Sequence, residues 1–228
     1  MKTQNRSWIV PACFFLAAVI TNLIGRATGD AQLAAIVKPA LLPLLALTSV
    51  AYAGGMGNRT VRLLVIAQLL GCAGDILLIP DGMIPFASGL ICFLTGHIFY
   101  FCIFGARSWK GIKPAAWIGI LAVMALAVAG LLIGIGVKGV FLVPFAVYGL
   151  ALMFLIFCGL AGIIRKLPNP ATWWIVFCGG FLFAFSDSLI AIQTFNGRSI
   201  FLEFMVMLTY LAAQSLLAIG ALRLAKSE

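Results

Sequence analysis

Two aspartates lie within long apolar runs, where an ionised side chain is costly. Asp75 falls in the segment GDILL (74–78), and Asp187 falls in the segment SDSLI (186–190). Acidic residues at membrane depth face a bundle interior or a water-filled cavity, so they are functional candidates by default. If two such carboxylates approach closely, they share one proton. The structural alternative for each is a hydrogen bond that clamps two helices together.

His97 is the only histidine of the chain, and Tyr100 lies three residues later on the same helix face. The imidazole can act as a general acid or base, or it can orient an aspartate. A hydrogen-bonded packing role is equally consistent with its position. One histidine cannot form a histidine-rich zinc site, which argues against a metal-dependent membrane hydrolase.

Further polar side chains recur at helical spacing in other apolar runs. Tyr210 and Gln214 share a face at i, i+4, and Gln68 shares a face with Asp75 seven residues later. Lys38 lies near the start of an apolar run, and its position alone predicts that it extends to the outer membrane interface. The alternatives for Lys38 are an ion pair with an aspartate and a contact with a phosphate.

The composition places these residues in a membrane. The chain is 64% hydrophobic and only 9% charged, whereas soluble domains carry about 25% charged residues. A soluble protein of 228 residues could not bury that much apolar surface. The net charge of +9 does not indicate nucleic-acid binding, because the basic residues lie in short groups between apolar runs, as in loops that face anionic headgroups. The six cysteines lack CxxC spacing and are read as buried apolar residues.

The apolar runs predict an all-α fold, a polytopic transmembrane bundle of eight helices that forms one domain over residues 1–228. Each run is close to the roughly 20 residues that a helix needs to cross the hydrocarbon core. Tryptophans near helix ends, such as Trp173, are read as anchors at the membrane interface. The predicted helices cover residues 8–24, 33–53, 61–79, 84–104, 114–134, 139–163, 171–194 and 200–224.

The basic residues predict the orientation. With eight helices, 11 of the 15 lysines and arginines, including Lys2, fall on the side of both termini, and 4 fall on the other. The positive-inside rule then places both termini in the cytoplasm. The similar segments 74–78 and 186–190 lie four helices apart, which indicates either a parallel internal repeat or chance.

Five short motifs in this order resemble the YhhN-like family, the lysoplasmalogenases of bacteria and animals. The resemblance extends over nearly the whole chain and rests on KP (38–39), GDILL (74–78), GHIFY (96–100), FSDS (185–188) and YLAAQ (210–214). It implies hydrolysis of the vinyl ether bond of lysoplasmalogens to a fatty aldehyde and glycerophosphoethanolamine or glycerophosphocholine, without a cofactor or metal. The positions carried over are Lys38, Asp75, His97, Tyr100, Ser186, Asp187, Tyr210 and Gln214.

The residue types fit this chemistry independently. A vinyl ether is hydrolysed by protonation of its β-carbon, attack of water on the resulting oxocarbenium ion, and collapse of the hemiacetal. Glycosidases solve a related problem with two carboxylates in different environments. We therefore expect Asp75 and Asp187 to act as acid and base, in an order that the sequence does not assign, with His97 or Tyr100 orienting one of them.

The remaining positions would bind the substrate. Tyr210 and Gln214 would position water or lipid, and Lys38 is the candidate for the lipid phosphate. The expected ligands are a lysophospholipid and membrane lipid, with no nucleic acid and no obligate protein partner. The expected location is the bacterial inner (cytoplasmic) membrane, which the protein crosses several times.

Two other functions fit the same residues. Two acids at membrane depth also relay protons in proton-coupled transporters of small molecules or lipids, although no clear pair of interrupted half-helices is present. An intramembrane hydrolase of lipid esters or amides would use Ser186 or Ser188 as nucleophile and His97 as base. No GxSxG elbow, P-loop, HExxH or dinucleotide fingerprint occurs in the sequence.

Overall fold

The computed structural model of the protein describes residues 6–227, and the regular elements in this part of the chain are all helices, without a strand. All eight helical segments are long and apolar enough to cross a membrane, so the predicted all-α fold is confirmed. Lys2 lies outside the described residues. The helices are α1 (Ile9–Thr28), α2 (Ala31–Ala53), α3 (Arg59–Leu77), α4 (Met83–Ser108), α5 (Pro114–Ile135), α6 (Leu142–Ile164), α7 (Pro170–Asn196) and α8 (Ile200–Ala225).

The largest boundary differences are at the ends of two helices. Helix α1 ends at Thr28 and α4 ends at Ser108, where the apolar runs predict residues 24 and 104. An apolar run shows which part of a helix lies in the hydrocarbon core, whereas the helix itself continues until the backbone leaves the helical conformation. For α1 this occurs at Gly29, whose φ of 76° is left-handed and whose N–H bonds to the Arg26 carbonyl, as is common after helix ends.

The helices fall into two compact units. The first comprises α1–α3, α4 as far as Ile103, and α8 from Ala218 onward, and the second comprises Phe104–Leu217. Each unit contains one of the two similar segments of the sequence. The single domain over residues 1–228 stays a prediction.

In the first unit, α2 packs against α1 and α3. The α1–α2 pair approaches closely at Gly25, where an added Cβ would lie 3.0 Å from the Ala34 nitrogen. One turn earlier, the buried Asn22 amide donates to the Ala34 carbonyl at 2.8 Å. Helices α3 and α4 approach closely where the Phe93 ring lies against Gly74. Small residues thus bring backbones together, as is typical of membrane helices.

In the second unit, α6 and α7 pack together through Gly159, Gly162 and Gly180. The Trp173 ring lies against Gly162 and is only 2% exposed, while its indole N–H donates to the Pro168 carbonyl at 3.1 Å. The interpretation of Trp173 as an interface anchor is therefore wrong, because the ring fills the space that a glycine leaves on the neighbouring helix.

We expect Gly159→Ala to lower the stability of the second unit. The added Cβ would lie less than 3.0 Å from the Phe177 backbone, so the two helices would have to separate, and overpacking of this kind costs about 1–3 kcal/mol. The matched control is Gly134→Ala in α5, where an added Cβ meets nothing within 4 Å. Thermal unfolding in detergent should show a lower unfolding temperature for Gly159→Ala and an unchanged one for Gly134→Ala. Equal midpoints would show that α6 and α7 tolerate separation.

Candidate active site

An ion pair joins α2 and α3 inside the first unit. The Lys38 ammonium nitrogen lies 3.3 Å from Oδ1 of Asp75, and the two residues are 7% and 3% exposed. The pair forms because Lys38 is one to two turns into α2 and Asp75 is close to the end of the antiparallel α3. The expectation that Lys38 extends to the membrane interface is wrong, since a carboxylate at its own level holds the ammonium group inside the unit.

His97 lies in the same unit, on α4, and is 1% exposed. Its Nδ1 is 2.7 Å from the Phe93 carbonyl oxygen. A carbonyl only accepts, so Nδ1 carries the proton of this bond and Nε2 is the acceptor of the neutral ring. The buried Tyr100 ring meets the imidazole edge-on, with centroids 6.4 Å apart, so the predicted shared face is confirmed.

A short hydrogen bond joins α6 and α7 inside the second unit. The Tyr148 hydroxyl donates to Oδ2 of Asp187 at 2.5 Å. Tyr148 is buried, whereas Asp187 stays partly exposed. Sequence reasoning assigned no role to Tyr148, although a tyrosine in the middle of an apolar run was the available signal. The contact itself could not be predicted, because it depends on how α6 and α7 pack.

The two serines beside Asp187 bond to backbone carbonyls. Ser186 is fully buried and donates to the Val206 carbonyl at 3.0 Å, which links α7 to α8. Ser188 donates to the Ala184 carbonyl of its own helix at 2.7 Å. A serine nucleophile needs a general base as the acceptor of its proton. These hydrogen bonds therefore give no support to a serine hydrolase.

Tyr210 and Gln214 form a polar pair on α8 in the second unit. The Gln214 amide donates to the Tyr210 hydroxyl at 3.4 Å, which confirms the predicted shared face. The Tyr210 ring also packs edge-on against Phe183 of α7, with centroids 5.6 Å apart. Both α8 side chains are buried, so their polar groups are held in place by α7 and by each other.

The predicted site residues are thus divided between the two units. Each unit contains one aspartate with a defined polar neighbour, either the Lys38 ammonium group or the Tyr148 hydroxyl. Within residues 6–227, no set of three or more His, Cys, Asp or Glu side chains is arranged to hold a metal ion. The first unit holds Lys38, Asp75, His97 and Tyr100, and the second holds Ser186, Asp187, Tyr210 and Gln214 together with Tyr148, which was not predicted.

Comparison with known proteins gives consistent matches. Lysoplasmalogenase TMEM86B of Homo sapiens is 31% identical over 194 residues, which cover 83% of this chain and 76% of the relative. A lysoplasmalogenase of Mycobacterium bovis is 33% identical over 201 residues, which cover 85% and 72%. No solved structure matches significantly. The model of the YhhN family matches residues 33–221, and the chain therefore belongs to the YhhN family.

Proposed function

We propose that this multi-pass membrane protein is a lysoplasmalogenase, an alkenyl ether hydrolase. It would hydrolyse the vinyl ether bond of a lysoplasmalogen to a fatty aldehyde and glycerophosphoethanolamine or glycerophosphocholine. The observation that carries the proposal is that each of two aspartates in membrane-spanning helices has a defined polar neighbour. The names of the relatives, which match over most of the chain, give independent support.

The environments of the two aspartates support different roles. Asp75 forms an ion pair with Lys38, and a carboxylate in an ion pair is deprotonated, so it has no proton to donate. We therefore assign to Asp75 the role of base and of stabiliser for the oxocarbenium ion. Asp187 has the neutral Tyr148 phenol beside it and is partly exposed, which suits a proton donor that must reach substrate.

The reaction then balances with one water molecule. The Asp187 carboxyl group would transfer its proton to the β-carbon of the vinyl ether, leaving an oxocarbenium ion. Water would attack the carbon bonded to the ether oxygen and lose a proton to the Asp75 carboxylate. Collapse of the hemiacetal would break the bond between this carbon and the ether oxygen, and the proton of the hemiacetal hydroxyl would pass to the leaving oxygen, releasing the aldehyde and the glycerol hydroxyl. Proton exchange with solvent would restore both carboxyl groups.

The other polar residues would support these steps. We propose that Lys38 acts through Asp75 rather than through the lipid phosphate, since its ammonium group lies against the carboxylate. His97, with Nε2 as acceptor, and Tyr100 would orient water or substrate in the first unit. The pair of Tyr210 and Gln214 would do so in the second. Ser186 would hold α7 against α8 and thereby position the neighbouring Asp187.

The membrane supplies the substrate in this proposal. A lysophospholipid is an amphiphile that dissolves in the bilayer, so it would reach the protein from the lipid. The surplus of basic residues on the side of both termini supports a cytoplasmic location for the termini. We propose the bacterial inner membrane as the location of the protein.

The purified protein should release aldehyde from a lysoplasmalogen in detergent. The matched control substrate is the acyl lysophospholipid with the same headgroup and chain length, from which no fatty acid should be released. An enzyme-coupled aldehyde assay and mass spectrometry of the products measure both reactions. Release of fatty acid from the acyl lipid would instead indicate an ester hydrolase, and the absence of turnover on both substrates would contradict the proposal and favour a transporter.

A further inference from the structure

Gln68 is a buried side chain without a partner in the middle of α3. It is 0% exposed, and neither Nε2 nor Oε1 has a hydrogen-bond partner among residues 6–227. A buried amide without hydrogen bonds is strongly unfavourable, and such groups in native proteins are usually satisfied by water or by a ligand. A water molecule or a ligand is therefore the expected partner of the Gln68 amide.

The surroundings of Gln68 place it among the polar residues of the first unit. It lies seven residues before Asp75, which is close to two full turns and therefore on the same face of α3. Helix α4 passes at the same level, because an added Cβ on Gly96 would lie 3.3 Å from the Ala67 carbonyl oxygen. The residue after Gly96 is His97. Gln68 thus lies in the first unit on the face of α3 that carries Asp75, about 10 Å along the helix from it.

The chemistry of the amide restricts its ligand. Oε1 only accepts hydrogen bonds and Nε2 only donates them, so one group satisfies both only if it donates and accepts. On a lysoplasmalogen, the phosphate and ether oxygens only accept, and the ethanolamine ammonium group only donates. The free hydroxyl at the second glycerol carbon does both. The hydrolytic water is the other source of the same chemistry.

We propose that Gln68 binds a hydroxyl group, supplied by the second carbon of the lysolipid glycerol or by the water that is consumed. The identity of the lipid rests on the proposed function. A site that hydrogen-bonds a substrate hydroxyl discriminates strongly against analogues that lack it, because its own polar groups are then left unpaired. With the glycerol hydroxyl as ligand, Gln68 distinguishes lysolipids from lipids that carry a second chain on that carbon.

The test uses Gln68→Met, which keeps the length of the side chain and removes both polar atoms. Binding is measured with a saturated 1-alkyl ether lysophospholipid, which has no vinyl ether to hydrolyse, and with its 2-deoxy counterpart. If the ligand is the glycerol hydroxyl, the wild-type protein should bind the hydroxylated lipid about tenfold more tightly, as expected for one hydrogen-bonded group; if it is water, the wild-type protein should bind both lipids equally. Gln68→Met should bind both lipids equally. Its unfolding temperature should be unchanged or higher, because an unpaired buried amide has been removed.

The control variant is Ser49→Ala in α2. Ser49 is as deeply buried, but its hydroxyl donates to the Leu45 carbonyl within its own helix, so lipid binding should not change. Turnover of the hydroxylated and 2-deoxy alkenyl lipids distinguishes the two sources of hydroxyl. If Gln68→Met turns over only the hydroxylated lipid more slowly than the wild type, the ligand is the glycerol hydroxyl. If it turns over both lipids more slowly by the same factor, the ligand is water.

The proposal would be overturned if Gln68→Met kept both the wild-type binding of the two lipids and the wild-type turnover, whatever its unfolding temperature. Failure of the proposed function has a different signature, namely that the wild-type protein releases no aldehyde. In that case the binding measurement alone decides, since it needs no reaction, and the absence of a hydroxyl preference in the wild type overturns the role of Gln68.

Discussion

An Asp187→Asn protein is expected to release aldehyde about 10²–10⁴-fold more slowly than the wild type, as follows when a general acid is removed. Asparagine has no proton to transfer to the vinyl ether, but its carbonyl oxygen still accepts the hydrogen bond from Tyr148. The variant should therefore fold like the wild type while its release of aldehyde is much slower. Single-turnover aldehyde release and thermal unfolding, measured on the same preparation, separate the two effects.

Two variants near Asp187 make this experiment specific. Ser188→Ala changes the next residue, whose hydroxyl bonds within α7, and should keep the wild-type rate. Tyr148→Phe removes the donor to the carboxyl group and should give an intermediate rate, since Asp187 remains but is less well oriented. If Asp187→Asn released aldehyde at the wild-type rate, the two-carboxylate mechanism would be wrong, whatever the stability of the variant.

The second large effect concerns the ion pair of the first unit. Lys38→Met should lower the free energy of unfolding by about 3–5 kcal/mol, because it leaves the Asp75 carboxylate buried without its counter-charge. The double variant Lys38→Met/Asp75→Asn should recover much of that stability, since it replaces an ion pair by two neutral side chains. Unfolding in mixed detergent micelles measures both changes.

Activity distinguishes the two roles of the pair. The double variant should be folded and inactive, because it lacks the base proposed for the reaction. If the losses in the free energy of unfolding of the two single variants added up to the loss of the double variant, the two residues would not interact. That result would contradict the 3.3 Å ion pair. A folded double variant with wild-type turnover would remove Asp75 from the mechanism but not from the ion pair.

The number and type of elements could be predicted because lipid imposes them. A chain that crosses the hydrocarbon core must satisfy its backbone within each segment, so long apolar runs are helices. The ends of α1 and α4 are harder to predict, since they depend on where helical hydrogen bonding stops rather than on where apolar residues stop. Trp173 was misread for a similar reason: proximity to a helix end does not reveal the glycine that receives the ring.

The candidate site was predictable in its residues and not in its contacts. Asp75 and Asp187 stand out because charge is rare in apolar runs. The side chain that lies beside each aspartate is determined by the packing between helices. The sequence around residue 38 or residue 148 does not reveal this packing. Lys38 was expected to extend towards water because the position of its carboxylate in space was unknown. The spacing of Gln68 to Asp75 is visible in the sequence, but only the structure shows that its amide has no partner among residues 6–227.

Asn58 links the beginning of α3 to the end of α8. Its Oδ1 accepts from the Thr60 N–H at 2.7 Å, and its Nδ2 donates to the Ala225 carbonyl at 3.2 Å. The first unit therefore contains a segment that the ribosome makes after α5, α6 and α7. Helices α1–α4 can enter the bilayer in order during synthesis, but the contacts that close their unit form only after α8 has been made. Completion of the first unit is thus expected only after α8 has been made, and a stalled or shortened nascent chain would lack the contact between Asn58 and Ala225.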